Sequence, residues 1–99
     1  MIAALPGRAL RRAHNRLSYR ECEVLVSVAK GLTSRAIGER LCIAPKTADN
    51  HVASILDKLG ASNRAEAVVR GIRMRAIKVA ADGRITIGWE GSHPAGEQP

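Results

Sequence analysis

The stretch from Thr33 to Gly60, TSRAIGERLCIAPKTADNHVASILDKLG, contains two helical patterns separated by residues 42–44. Thr33 is a residue type that caps helix N-termini, although Ala36 stands where a full capping box has a glutamate. Pro45 suits the first position of the second helix, because its missing N–H is not needed there. Gly60 suits the end of that helix. We therefore predict a short helix over 34–41, a turn, and a longer helix over 45–59.

One further helix is predicted on each side of this stretch. Ser18 and Glu21 have the spacing of a capping box. The apolar positions after them repeat at helical spacing up to Gly31, at Val24, Leu25, Val28 and Ala29. Asn63 and Glu66 predict a second capping box, which opens a fourth helix that ends near Arg75. The sequence thus predicts an all-α, four-helix domain over residues 17–75.

The two ends of the chain differ from this domain. Residues 1–16 include four arginines and no acid, and we interpret them as a basic arm or linker. Residues 76–99 form a tail, in which alternating residues flank Asp82-Gly83 and predict a small β-hairpin over 77–87. An isolated hairpin is weak in water, so this one must dock on a helix. The last residues, 91–99, are expected to be disordered.

Composition favours a polyanionic partner. The chain has 16 Lys and Arg against 9 Asp and Glu, a formal net charge of +7. An excess of this kind on a small domain with a basic arm points to nucleic acid, although a protein can also simply be basic. Tyr19 and Trp89 are the only aromatic residues. Their scarcity argues against folds that stack bases on aromatic side chains.

Several other classes of site and location are excluded. Cys22 and Cys42 lie in apolar helical patterns and are predicted to be buried, reduced thiols. The three histidines are too scattered to hold a metal. No glycine-rich phosphate loop or paired-carboxylate site is present, so we expect no enzyme activity, no cofactor and no small-molecule ligand. Residues 1–5 are too short for a signal peptide and the arginines at 8–16 exclude a spanning helix, so we expect a cytoplasmic protein without a membrane partner.

The longer helix over 45–59 has the features that insertion into a DNA major groove requires. That groove is about 12 Å wide and admits one helix, whose first turns reach the base edges. Between the apolar positions of this helix lie small, polar and charged residues: Lys46, Thr47, Asp49, Asn50, Ala53, Ser54, Asp57 and Lys58. Together with the short helix before it, it forms a helix-turn-helix pattern over about 34–59.

The same residues resemble the LuxR (GerE) type of helix-turn-helix DNA-binding domain. The resemblance is carried by LSYRECEVL at 17–25, GLTSRAI at 31–37 and LCIAPKT at 41–47. It continues through NHV at 50–52, IL at 55–56 and KLG at 58–60, and covers about residues 17–75. It implies that the second helix scans double-stranded DNA, that the third reads it, and that a homodimer forms through the fourth. Such domains are commonly the output modules of bacterial transcription regulators.

The resemblance also implies roles for individual residues. Carried over by position, contacts to DNA bases fall on Asp49, Asn50 and Ala53. Contacts to phosphates fall on Thr33, Ser34, Arg35, Lys46, Thr47, His51, Ser54 and Lys58. Dimerisation falls on Val69, Arg73 and Met74, because the core of this helix is expected to take Ala67, Val68 and Ile72. The other interpretations are a surface or packing role for His51 and simple solvated charges for Lys46 and Lys58.

Three positions depart from the pattern of the family. Ala44 stands where a serine usually caps the third helix, at a cost of roughly 1 kcal/mol. Ala48 stands where valine is usual, which reduces core packing. Asp49 stands where lysine or arginine is frequent. These departures put the affinity for DNA in question rather than the fold.

We therefore expect a transcription regulator, or the output domain of one, that binds duplex DNA as a dimer. The 16 residues before the motif cannot build a sensor domain. One alternative is a degenerate helix-turn-helix that acts as a protein-interaction or dimerisation module, which Asp49 and Asp57 support. Another is the C-terminal piece of a larger signalling enzyme.

Overall fold

The structure, a computed structural model, describes residues 17–88. Its helices are α1 (Tyr19–Ala29), α2 (Ser34–Leu41), α3 (Pro45–Leu59) and α4 (Arg64–Arg73). Two short antiparallel strands follow, β1 (Ile77–Val79) and β2 (Ile85–Ile87), with Lys78 opposite Thr86. The predicted four-helix class with a small C-terminal hairpin is confirmed. The predicted basic arm at 1–16 and disordered end at 91–99 lie outside the described residues.

Local sequence signals set most of the helix ends. The Ser18 hydroxyl accepts the Glu21 N–H at 3.0 Å, and the Glu21 carboxylate accepts the Ser18 N–H at 3.0 Å, so the predicted capping box is present. Thr33 caps α2 by accepting the Ala36 N–H at 3.1 Å. The chain turns left-handed after α1 and α3, at Gly31 with φ 86° and at Gly60 with φ 66°. A glycine adopts this conformation without the steric cost that a side chain brings.

The start and end of α4 differ from the prediction. The Asn63 side chain accepts the Glu66 N–H at 2.8 Å, as expected for an N-cap. The Glu66 carboxylate, however, accepts the N–H of Ser62 at 2.7 Å. The return bond thus goes to the residue before the cap, and the predicted reciprocal box is wrong in that half. The helix ends at Arg73, two residues before the expected end.

The core is formed by side chains from all four helices and from the hairpin. Its buried apolar residues include Leu25, Ile37, Ile55, Ala67, Ala76, Ile77 and Ile87. Because Ala76, Ile77 and Ile87 belong to this core, the hairpin docks on the helices as its weak intrinsic stability requires. The domain boundary near Arg75 stays a prediction, while buried residues continue to Ile87.

Two burial predictions are wrong. Cys42 is exposed, because it ends α2 in a left-handed conformation with φ 60° and its side chain leaves the helix surface that packs inward. Ile72 is 42% exposed. Gly71 is buried in its place, and a Cβ there would lie 2.7 Å from the Leu25 Cδ2 atom. The close approach of α1 to Gly71 turns Ile72 outward.

Cys22 fulfils its prediction as a buried thiol. It has no exposed surface, and burial raises the pKa of Cys22 to about 12, with a further contribution from the charge of Glu21. A thiol with so high a pKa stays protonated and acts as a small apolar side chain. Within residues 17–88, no helix is long and apolar enough to cross a membrane.

Candidate nucleic-acid interface

Helices α2 and α3 are joined by a tight turn that fixes their crossing. The Ile43 N–H donates to the Gly38 carbonyl oxygen at 2.9 Å. A Cβ at Gly38 would lie 2.5 Å from the Ile43 carbonyl oxygen, so this close approach needs a glycine. Pro45 occupies the first turn of α3. Ala44 precedes it and makes no side-chain capping bond, because a methyl group cannot accept a hydrogen bond.

One face of α3 is buried and the opposite face is exposed. The buried face carries Ala48, Val52, Ile55 and Leu59. Residues at i, i+4, i+7 and i+11 share one face of a helix, and the exposed residues at that spacing are Lys46, Asn50, Ala53 and Asp57. This exposed face carries three polar or charged side chains and one methyl group. It is the surface that a groove of duplex DNA can contact.

Asp49 lies on one flank of this face, where it contacts α2. The Ser34 hydroxyl donates a hydrogen bond to the Asp49 carboxylate. The Ser34 oxygen also accepts a hydrogen bond from the Arg64 guanidinium at 2.9 Å, and the same guanidinium donates to the Leu32 carbonyl oxygen at 3.3 Å. Ser34, Asp49 and Arg64 therefore connect α2, α3 and α4 near the N-terminus of α2.

Ser54 and Lys58 lie on the other flank of α3, where both contact Glu21. The Ser54 hydroxyl donates to the Glu21 carboxylate at 2.8 Å, and the Lys58 ammonium group donates to both carboxylate oxygens, at 2.9 and 3.2 Å. Burial by itself raises the pKa of Glu21. The hydrogen bonds from the Ser18 backbone, Lys58 and Ser54 outweigh burial, so that the pKa of Glu21 is lowered overall. Two predicted phosphate contacts thus have a partner inside the protein.

The remaining predicted phosphate contacts lie around the first turns of α2 and α3. Thr33 and Arg35 are exposed at the start of α2, and Arg35 approaches Glu39 only at 4.0 Å. Lys46 and Thr47 are exposed at the start of α3, and His51 is half-buried one turn later. All of these roles stay predictions.

The predicted dimerisation residues lie on α4 and at its end. Val69 is 52% exposed and Arg73 is exposed, whereas Met74 is half-buried against the core. Ile72, which had been expected inside, adds an exposed apolar side chain one turn from Val69.

Sequence reasoning missed the two polar networks that flank α3. Arg64 carried no signal, because its partners Ser34 and Leu32 are 30 and 32 residues away. Glu21 did carry one. It is a carboxylate at a core-facing position of α1, and a buried charge needs a partner. A search for a cation at a matching position on another helix would have suggested Lys58.

The family model of the bacterial regulatory proteins of the luxR family matches residues 15–70, more than half of the chain. The chain belongs to this LuxR family. Its helix-turn-helix is accordingly a DNA-binding domain of transcription regulation, which confirms the predicted resemblance.

Among curated members of the LuxR family, similar proteins include the transcriptional regulatory protein DegU of Brevibacillus brevis. It is 46% identical over 63 residues, which are 64% of this chain and 27% of DegU. The methanol utilization control regulatory protein MoxX of Paracoccus denitrificans is 47% identical over 58 residues, which are 59% of this chain and 26% of MoxX. The chain thus matches about a quarter of the length of these relatives.

Proposed function

We propose that this LuxR-family domain binds duplex DNA with α3 in the major groove, as the DNA-reading part of a transcription regulator. The observation that carries the proposal is the exposed face of α3 formed by Lys46, Asn50, Ala53 and Asp57, opposite its buried stripe. A helix with small side chains at its centre can approach the base edges closely. The major groove holds one helix, α3, while α2 lies beside α3 and crosses the sugar-phosphate backbone of the DNA.

Within this proposal, Asn50 is the main reader of sequence. An amide side chain carries both a donor and an acceptor. Asparagine can therefore donate from its NH2 group to the N7 atom of adenine and accept with its carbonyl oxygen from the N6 amino group. Asn50 is exposed at the centre of the face, and Ala53 one turn later can contact a thymine methyl group. Asp49, which was predicted to contact a base, lies on the flank of this face and accepts a hydrogen bond from Ser34.

The positive charge and the hydrogen-bond donors around this face bind phosphates. Lys46, Thr47 and His51 serve this role on α3, and Thr33, Ser34 and Arg35 serve it on α2. Lys46 is exposed, so its ammonium group is accessible to a phosphate oxygen. Lys58 and Ser54 bind Glu21, and we propose that they act on DNA mainly by fixing the orientation of α3.

A salt titration tests this function. With four to six phosphate contacts per subunit, the logarithm of the binding constant should fall with the logarithm of salt with a slope of about −4 to −5. Lys46→Ala should flatten the slope by about 1 and weaken all sequences alike. Lys30→Ala, which removes the same charge from an exposed position at the end of α1 outside the predicted DNA contacts, is the control. A slope near zero for the wild-type protein would contradict DNA binding and favour a protein-interaction module.

We further propose that the domain acts as a two-fold homodimer through α4. Val69 and Ile72 form an exposed apolar surface there, and Val79 on β1 is also exposed. A two-fold axis brings the same surface of each copy together, so that exposed apolar side chains cover each other. The flanking Arg73 and Met74 then lie at the edge of the contact.

A further inference from the structure

The Ser34 hydroxyl makes hydrogen bonds to two charged groups of the protein. A serine hydroxyl has one proton to donate, and in this structure it donates that proton to the Asp49 carboxylate. Its oxygen accepts from Arg64 at 2.9 Å. Arg64 is itself held by its second bond to the Leu32 carbonyl oxygen. The hydroxyl is therefore oriented toward Asp49 by a guanidinium that the backbone holds in place.

The Asp49 carboxylate lies beside the N-terminus of α2, which is the proposed place of approach for a DNA phosphate. Ser34 is the first residue of α2, and the free N–H groups of a helix N-terminus attract anions. A phosphate that accepts a hydrogen bond from the Ser34 hydroxyl needs the proton that Asp49 accepts. Such a phosphate is also repelled by the negative charge of the Asp49 carboxylate, which is hydrogen-bonded to the same Ser34 oxygen. Asp49 and a phosphate can therefore not use Ser34 at the same time.

We propose that Asp49 is a positioning residue that competes with the phosphodiester backbone of DNA for the Ser34 hydroxyl. The inference rests on the proposed insertion of α3 into the major groove. In the free protein the Ser34–Asp49 bond connects α2 to α3. Binding to any duplex has to break this bond, so the affinity for all sequences is lowered. Because this cost is the same for every sequence, it lowers the affinity for DNA without changing the ratio of affinities between sequences.

The bond itself is tested without DNA. Ser34→Ala, Asp49→Ala and the double variant are unfolded with urea. If the bond forms, the sum of the losses of stability in the two single variants exceeds the loss in the double variant, because each single variant already breaks the same contact. Strictly additive losses would contradict the contact and with it the proposal, whatever the protein does with DNA.

The competition is tested with a labelled random-sequence duplex. Asp49→Ala should tighten binding about five-fold, whereas Asp57→Ala, which removes the same charge from the exposed face of the same helix, should tighten it about two-fold. In the Ser34→Ala background, the gain from Asp49→Ala should fall to the level of the Asp57→Ala control. An equal gain in both backgrounds would reduce Asp49 to a general repulsive charge and overturn the proposal.

The outcomes also separate this inference from the proposed function. If none of the variants binds duplex DNA at low salt, the proposed function fails and this inference fails with it. If the wild-type protein binds with the expected salt dependence and Asp49→Ala weakens that binding, only this inference fails. Asp49 would then be a direct contact to DNA, as the sequence alone had suggested.

Discussion

Glu21 lies on the buried face of α1 and is only 5% exposed. Moving a carboxylate out of water costs several kcal/mol unless the charge is paired and hydrogen-bonded. Here the Ser18 N–H, the Ser54 hydroxyl and the Lys58 ammonium group all donate to it. Because two of these donors are on α3, the buried charge fixes the rotation of α3 about its own axis. This rotation decides which residues face a DNA groove.

Replacement of Lys58 by methionine tests this role. At neutral pH, Lys58→Met leaves a buried carboxylate without its cation and should lower the free energy of unfolding by about 2 kcal/mol. The Lys58 side chain is 28% exposed, which keeps the loss of stability below that for a fully buried ion pair. Lys46→Met, on the exposed face, should change the free energy of unfolding by less than about 0.5 kcal/mol.

The same variant has a predicted pH dependence. The pKa of Glu21 in the folded protein is lowered from 4.5, so its ionised form stabilises the fold above that pH, and this contribution is lost as the pH falls through the folded pKa. The cost of Lys58→Met should therefore shrink in acid, where Glu21 is protonated. The cost is measured by urea unfolding of the wild-type protein and of Lys58→Met from neutral to acidic pH. A cost that is the same at neutral and acidic pH would show that Lys58 acts by packing alone.

At the scale of the helices, α3 starts without a side-chain cap. Ala44 has the extended backbone of an N-cap residue, with φ −66° and ψ 148°, and its side chain is exposed. Ala44→Ser should supply the missing bond to a backbone N–H and raise the free energy of unfolding by about 1 kcal/mol. Thr33→Ala, which removes the cap of α2, should lower it by about the same amount. Loss of stability in Ala44→Ser would mean that the start of α3 cannot accommodate the serine.

The helix ends were predictable because their causes are local. Ser18, Thr33, Pro45 and Gly60 act on backbone groups within a few residues, so their spacing in the sequence contains the information. This is why the bounds of α2 and α3 agree with the prediction. The hairpin is a similar case, since alternation around a turn dipeptide is also local.

What the sequence did not reveal depends on packing between elements. Gly71 faces the core because α1 approaches α4 closely at Leu25, and only the three-dimensional arrangement contains that distance. The position of Asp49 in the sequence suggested a base contact. Its bond to Ser34 depends on the crossing of α2 and α3, which a pattern along one helix does not determine. Spacing alone therefore predicts which residues are exposed better than it predicts their partners.

At the scale of the whole molecule, two surfaces carry separate tasks in the proposed function. The exposed face of α3 contacts DNA, and the apolar surface at Val69 and Ile72 on α4 contacts a second copy. If the tasks are separate, variants of one surface leave the other intact. A dimer also doubles the number of phosphate contacts, so the two tasks combine in the affinity for DNA.

A pair of glutamate substitutions tests this separation. Val69→Glu places a charge in the proposed dimer contact and should give a monomer in sedimentation experiments, whereas the wild-type protein is expected to sediment as a dimer at micromolar concentration. Ala53→Glu adds the same side chain to the exposed face of α3 and should leave the dimer intact while it weakens DNA binding. A wild-type protein that stays monomeric at hundreds of micromolar, with or without DNA, would contradict the dimer.

The most direct test of the account is a comparison of Asn50→Ala with the wild-type protein on two duplexes. One is the preferred site, obtained by selection from random sequences, and the other is a random duplex of the same length. Asn50→Ala should cost about 1–3 kcal/mol on the preferred site and little on the random duplex. Lys46→Ala, which removes a proposed phosphate contact from the same helix, is the control and should weaken both duplexes alike and so keep the preference. An equal loss on both duplexes would contradict the proposed orientation of α3 in the major groove.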